Sequence, residues 1–405
     1  MSDPVVIVGA GLAAGAAVQT LRQEGEEGPI VMLGAEPHPP YERPPLSKEY
    51  LRGEADAEAL PLHPGGSYEE WGVDVRTGVR ATALDARDRT LELDDGSSLR
   101  YRTLLLATGG RARVIGAEPS ERVCYLRTVE DADRLRRHLG GGKHLLVVGA
   151  GFIGCEVAAS ARALGTDVTM IERGPAPLVR VLGEGMGRVL AEIHRDHGVD
   201  LRVDTGMGEV RETDGGVVVE TDHGETLEGD AVVIGAGIIP NTELAEAGEL
   251  EVENGIAVDA RCAASAEDVF AAGDVASHDH PVFGRIRVEH FDNALKMGTH
   301  AARSMLGSEE PFDDPHWFWS DQYDVNLQMG GFAATWDEIV VRGSVEDRDF
   351  TAFYLQEGAV RSVLSIGRPR DVRRGMRVIT AQARPDPDAL RDDDVDVATL
   401  IPEGG

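Results

Sequence analysis

Gly9, Gly11 and Ala14 stand in G-x-G-x-x-A order within VVIVGAGLAAGAA, between a short apolar run and an alanine-rich stretch. Glycines in that order permit a tight strand-to-helix turn and let backbone N–H groups approach a pyrophosphate at the helix N-terminus. Glu36, at the end of the next apolar strand, can accept hydrogen bonds from ribose hydroxyls. Alone, such a match is equally a device for packing a helix on a strand. The plan recurs in HLLVVGAGFIGCEVAAS, where Gly149, Gly151 and Gly154 are followed by Glu172 at the end of the strand DVTMIER. A carboxylate there accepts from a free ribose 2′-OH and repels a 2′-phosphate, favouring NADH over NADPH. Arg173 beside it could instead neutralise a phosphate. Two fingerprints, each with its acidic residue, are far more specific for dinucleotides than either alone.

Two dinucleotide sites suggest a flavin between them, and VFAAGDVA supports one. Asp274 is read there as following an apolar strand and preceding a helix. A carboxylate so placed can bind the ribitol hydroxyls of FAD while the helix dipole favours the pyrophosphate. The competing reading is that Asp274 only caps that helix. The cysteines, Cys124, Cys155 and Cys262, are widely spaced, with no CxxC or CxxxxC pair. A disulfide framework, a thiolate metal site and a redox dithiol are therefore not expected.

These residues need parallel sheets to hold them. Each glycine motif lies in a βαβ order, and the likeness between the two halves continues downstream. WGVDVRTG matches HGVDLRVD, and both lead into hairpin-like segments, LELDDGSSLRY and VVVETDHGETLEGD. The economical reading is an α/β protein with two Rossmann-like nucleotide-binding domains, the second inserted into the first, and a C-terminal α+β domain. The expected boundaries are 1–110 and 231–310 for FAD, 111–230 for NAD and 311–405 for the last domain. In that last domain WFWSDQYDVNLQMGG, EIVVRGSV, DFTAFYLQ and AVRSVLSIG read as strands, with a hairpin at Glu357–Gly358. RDVRRGMRVITAQ reads as a helix, and RDDDVDVATLIPEGG as a frayed acidic tail.

The 405-residue chain carries 71 Asp+Glu against 40 Lys+Arg, a net charge of −31. That sign argues against nucleic acid or an anionic membrane as partner. It reads as an acidic, soluble surface, or as an acidic docking face. The N-terminus shows no basic n-region or cleavage site, and no apolar run is long enough to span a bilayer, so a cytoplasmic protein is expected.

YERPPLSKEYL, ATGG, GAGFIGCE, GAGIIPN, VFAAGDVA, VEHFDNAL and FWSDQYD together resemble the pyridine-nucleotide-dependent flavoprotein reductases. The likeness is specifically to ferredoxin reductases of the putidaredoxin and biphenyl-dioxygenase type, over nearly the whole chain. The resemblance implies that Arg43 and Lys48 contact FAD, with Lys48 beside the isoalloxazine. It implies further FAD contacts from Ala13, Val79 and Arg127, and Phe291 at the pyrimidine end of the flavin. Glu156 would pair with Lys48 near flavin N5, and Trp319 would lie near the flavin on the partner-facing side. Ala35 departs from the family, which often has an acid before the ribose-binding Glu36.

Disulfide reductases of this fold use a cysteine pair, and some relatives a single cysteine, in the segment that here reads HPPYERPPLSK without one. The implied activity is hydride transfer from NADH to FAD, then single-electron transfer to a small iron–sulfur ferredoxin that feeds an oxygenase. Lys48 would favour negative charge on the flavin, although a surface lysine and a helix-face glutamate need not meet. Arg368, Arg370, Arg373, Arg374 and Arg377 could dock an acidic ferredoxin or be consumed by internal carboxylates. Two other activities fit the same fold: a reductase for a quinone or small radical acceptor, and a flavin-bound interaction protein with little turnover.

Overall fold

The computed structural model describes residues 3–401. The chain divides into two compact units. One comprises the chain up to Glu42 with Leu60–Arg111 and Ile239–Phe318, the other Arg43–Ala59, Ala112–Ile238 and everything from Trp319.

In the first unit Val5–Val8 is buried along its whole length. That is the signature of a parallel strand covered on both faces. It pairs in parallel with Ile30–Gly34 on one side and Thr103–Leu106 on the other. Val73–Thr77 and Val269–Ala271 complete a five-stranded parallel sheet. The helix Leu12–Gln23 crosses between the first two strands and lies against the helix Phe291–Met305. A Cβ on Gly298 would stand 2.3 Å from the Ala13 carbonyl oxygen, so only glycine lets these two backbones come so close. LELDDGSSLRY forms the expected hairpin, extended to three antiparallel strands by Ala81–Asp85.

The second unit repeats the parallel plan with Val199–Arg202, Asp167–Ile171, His144–Val148, Ala231–Ile234 and Val123–Cys124. Ala231–Ile234 corrects the sequence reading, which returns the chain to the first domain at residue 231. A four-residue apolar strand is buried on both faces in either sheet, so its composition does not say which sheet it joins. Arg43–Ala59 is likewise read with the first domain but belongs to the second unit.

The C-terminal segment forms a five-stranded sheet in the order Trp317–Gln322, Val325–Gly331, Ala359–Ile366, Asp349–Gln356, Glu338–Ser344. Its tightest turn is Glu357–Gly358, with φ of 51° and 77°. Positive φ at both central residues matches a type I′ hairpin. The helix Pro369–Thr380 buries Val372, Gly375, Val378 and Ile379, spaced for one face. From Trp319 this segment belongs to the second compact unit rather than standing as a third.

The acidic tail is docked rather than frayed. Arg342 donates to the carbonyl oxygens of Asp393 (2.9 Å) and Val395 (2.6 Å), and Val397 is buried. Residues 402–405 of that segment lie outside the described residues.

A cluster of imidazoles occupies the first unit. His278 and His280 alternate inward from the strand Ala276–His280. Their Nε2 atoms donate to the carbonyls of Phe312 and Asp314, at 3.2 and 3.0 Å. His316 is buried among them, its ring 5.2 Å from that of His280, and among the described residues neither of its nitrogens has a hydrogen-bond partner. Burial pushes His278 down to about 4 and His316 to about 2. Folded-state values below the ordinary ~6.5 mean that the unfolded chain takes up protons the native state refuses. The stability tied to these groups is therefore full above about pH 6.5 and is lost as pH falls below it. The melting temperature should accordingly drop between about pH 7.5 and pH 5, and His316→Phe should flatten that slope. A ring of similar size without titratable nitrogens would occupy the same site. An unchanged slope in the variant, read by calorimetry, would show that His316 carries none of the effect.

Candidate active site

The first glycine cradle lies in the first unit. Gly9 has φ 119°, and a Cβ there would fall 2.0 Å from the Ala107 carbonyl oxygen, so the turn admits only glycine. Gly11 is the N-cap of the helix Leu12–Gln23; no side chain caps that end, and a Cβ on Gly11 would meet nothing within 4 Å. Unclaimed first-turn amides facing open space are what a pyrophosphate requires. Ala13 and Ala14 are buried in the first turn, Ala13 against Gly298. Glu36 follows the strand Ile30–Gly34, and its Oε2 accepts from the Tyr41 hydroxyl at 2.5 Å. The Val79 amide donates to the Gly34 carbonyl at 2.9 Å, beside that strand end.

Asp274 departs from the sequence reading. It sits in a three-residue 3-10 turn, Gly273–Val275, that runs straight into the strand Ala276–His280. There is no following helix for it to cap. The neighbouring Gly273 packs against the first turn of Leu12–Gln23: a Cβ there would lie 3.1 Å from the Ala13 Cβ. Phe291 opens the helix Phe291–Met305 and is half-buried.

The second cradle, in the second unit, has the same construction. Gly149 has φ 91°, and Gly154 would drive a Cβ to 2.0 Å from the Gly149 carbonyl oxygen. Gly151 is an uncapped helix start with open space before it. Glu172 does more here than sequence indicated. Its two oxygens accept from the backbone amides of Ala150 and Gly174, each at 2.7 Å. The carboxylate thus stitches the glycine turn to the next strand, and each oxygen keeps further acceptor capacity. Arg173 is exposed.

Also in the second unit, Pro44–Ser47 forms a 3-10 turn and Glu49–Arg52 a helical turn, with Lys48 at the non-helical break between them. Lys48 Nζ lies 2.6 Å from Glu156 Oε2, and the residues are only 7% and 4% exposed. The lysine and the glutamate do meet. Glu156 comes from the buried face of the helix Phe152–Ala163. Ser47 Oγ donates to the same Oε2 at 2.5 Å, and Ser320 Oγ donates to Oε1 at 2.7 Å. Lys48 also reaches the Pro44 carbonyl at 3.3 Å. Arg43 Nη1 donates to the Arg127 carbonyl at 2.6 Å, bringing those two together. Trp319 is half-buried on the strand Trp317–Gln322 and alternates with inward Ser320 and Gln322.

The sequence reading does not single out Ser47, Ser320 or Gln322, although they stand within PPLSK and FWSDQ. Period-2 alternation would have put Ser320 and Gln322 on one face; nothing local says that this face meets Glu156. Cys155, next to Glu156, is fully buried, its Sγ 3.6 Å from the Ala150 carbonyl oxygen, and burial pushes its thiol up. Cys124, Cys155 and Cys262 are all free and buried.

The C-terminal arginines divide into two groups. Arg368 pairs with Asp349 (3.3 Å) and Asp393 (2.5 Å), and Arg374 with Asp396 (3.3 Å) and Asp371 (3.6 Å). Arg370, Arg373 and Arg377 are exposed and have no ion-pair partner among the described residues.

Two uncapped glycine cradles, each backed by a glutamate, define a protein built for two dinucleotides. Residues 3–298 match the family model of the pyridine nucleotide-disulphide oxidoreductases, and residues 317–401 match the reductase C-terminal domain. The chain belongs to that oxidoreductase family. It is 40% identical over 404 residues to the anthranilate 1,2-dioxygenase system ferredoxin–NAD(+) reductase component of Burkholderia cepacia, covering 99% of this chain and 100% of that one. It is 36% identical over 409 residues to putidaredoxin reductase of Pseudomonas putida, covering 99% and 97%. Its fold superposes with a TM-score of 0.95 on the crystal structure of the covalent putidaredoxin reductase–putidaredoxin complex, at 36% identity and covering 99% and 98% of the two chains.

Removing one partner of a buried pair strands the other charge. Lys48→Met should cost about 3 kcal/mol in denaturant unfolding, the low end for such pairs because Ser47 and Ser320 still donate to Glu156. Adding Glu156→Gln to that variant should recover part of the loss. A double variant no more stable than Lys48→Met would show that the carboxylate was never stranded.

Proposed function

We infer that this protein is an NADH-dependent ferredoxin reductase carrying FAD, one component of an oxygenase electron-transfer system. The observation that carries this reading is the buried Lys48–Glu156 pair, standing where a disulfide reductase would need thiols. When bound, FAD accepts two electrons as hydride and can release them singly to a one-electron acceptor. The relatives named for ferredoxin–NAD(+) reduction support that acceptor and donor.

The residues present fit the cofactor. Gly9, Gly11 and Ala14 bind its pyrophosphate through backbone amides, Glu36 accepts from its ribose and Asp274 from the ribitol hydroxyls. Ala13, Arg43, Val79, Arg127 and Phe291 supply further contacts. Lys48 Nζ presents a fixed positive charge that stabilises the negative charge arriving with hydride, and Glu156 keeps the ammonium in place. Gly149, Gly151 and Gly154 bind the NADH pyrophosphate, and Glu172 disfavours a 2′-phosphate. Trp319 would lie on the side from which electrons leave. The first glycine motif and residues 239–310 serve FAD, residues 111–234 serve NADH, and the C-terminal sheet serves the ferredoxin. Among the described residues no helix is long and apolar enough to cross a membrane. Three buried free cysteines suit a reducing, cytoplasmic setting.

The purified protein should be yellow with bound FAD, reduced faster by NADH than by NADPH, and turn over an iron–sulfur ferredoxin in preference to quinones. Trp319→Ala should lower ferredoxin turnover much more than NADH–ferricyanide turnover. A colourless protein that refuses FAD would sink the reading, and equal use of NADPH would overturn only the role given to Glu172.

Docking can be tested separately. Arg368 and Arg374 are committed internally, so the exposed Arg373 and Arg377 carry the encounter with an acidic ferredoxin. Reversing both to Glu should raise the apparent KM for ferredoxin, and added salt should shrink the defect as screening shortens the interaction. Intact turnover at low salt would place the dock elsewhere.

A further inference from the structure

Behind Glu156 a row of buried side chains has its proton positions fixed by chemistry alone. A carboxylate only accepts, so Ser320 must spend its single hydroxyl proton on Glu156 Oε1, 2.7 Å away. Ser320 Oγ can then only accept from Gln322, whose Nε2 lies at 3.1 Å. That sets the amide with Oε1 facing His194 Nε2 at 3.1 Å, which must carry a proton to donate. The other nitrogen, Nδ1, is then an acceptor for the Tyr323 hydroxyl at 2.9 Å. Burial keeps this ring neutral, pushing it down to about 4. His194, Ser320 and Gln322 are 0%, 0% and 1% exposed, so bulk water does not reach the links between them.

We propose that Tyr323, His194, Gln322 and Ser320 form a one-way donor chain that positions the Glu156 carboxylate, and through it the Lys48 ammonium. None of the four is a catalytic residue. The chain runs from the helix Val179–Asp196 through the strand Trp317–Gln322 to the helix Phe152–Ala163. Its outer end is anchored by Tyr323, which stacks on His197 with ring centroids 3.7 Å apart. With Lys48 and Ser47 on Oε2 and Ser320 on Oε1, any turn of the carboxylate breaks a hydrogen bond to a charged group. The strand that carries Trp319 on one face therefore holds the ion pair with the other. The catalytic consequence rests on the reading of Lys48 as the charge that receives hydride; the positioning does not.

The chain's lysines are Lys48, Lys143 and Lys296, so the holoprotein grown on 15N-lysine should give three ammonium signals, two of them internal references. In Ser320→Ala and in Gln322→Met, exchange of the Lys48 ammonium protons with water should accelerate on the order of 10-fold, as expected for losing a hydrogen bond to a charged group. Lys143 and Lys296 should not change. Ser320→Thr, which keeps the hydroxyl, should restore slow exchange. Single-turnover reduction by NADH should slow in the first two variants while the KM for NADH holds. Unchanged Lys48 exchange in Ser320→Ala overturns the proposal, and that variant decides the matter if Gln322→Met does not fold. A protein that NADH fails to reduce, yet whose Lys48 exchange responds as stated, keeps the chain and overturns only the functional reading.

Discussion

An ion pair taken out of water sets the terms for the second unit. Removing an ammonium and a carboxylate from solvent costs several kcal/mol each, and mutual attraction repays that only when the remaining acceptor sites are also satisfied. Lys48 and Glu156 are both nearly buried, so the fold must bring donors to both carboxylate oxygens. It does so from separate stretches of chain: Ser47 from the 3-10 turn before Lys48, and Ser320 from the C-terminal sheet. The backbone is tied in as well, with Ser160 Oγ donating to the Ser47 carbonyl at 2.7 Å. These bonds link Arg43–Ala59 and the chain from Trp319 to the helix that bears Glu156, within one compact unit.

The two glycine cradles solve the same steric problem with different use of their acids. Both place a carbonyl oxygen where a Cβ would stand, Ala107 against Gly9 and Gly235 against Gly149. In the first, the glutamate accepts from a tyrosine hydroxyl. In the second, Glu172 accepts from two backbone amides and so belongs to the turn itself. A mutation of Glu172 therefore disturbs turn geometry along with any nucleotide contact. Selectivity is best read from the ratio of rates with the two nucleotides rather than from either alone.

Much of this was legible in the residues because the signals were local. Glycine spacing, flanking apolar runs and the Glu357–Gly358 turn each depend on a few neighbouring φ/ψ choices. What was not legible depended on contacts distant in sequence. Ala231–Ile234 carries no mark of which parallel sheet it joins. Asp274 reads as preceding a helix, whereas the chain turns at Gly273 (φ 79°) and re-enters a strand. The acidic tail reads as frayed because its charges look solvated; Arg342 and Arg368 capture them from strands and turns far upstream. The donors on Glu156 were hidden for the same reason.

The capture of the tail also bears on which positive charge so acidic a protein keeps exposed. With 71 carboxylates to 40 basic residues, a guanidinium in this chain usually finds an acid nearby, as Arg368 and Arg374 do. Those pairs are largely exposed and contribute little to stability; their effect is to cancel positive charge. Arg370, Arg373 and Arg377 have no such partner among the described residues, and they lie on the solvent side of a helix whose other face is apolar and buried. In a field that repels anions at long range, cations left uncancelled on one helix act only within about a Debye length, roughly 8 Å at physiological salt. That combination favours weak, short-lived encounters with an anionic surface over tight capture.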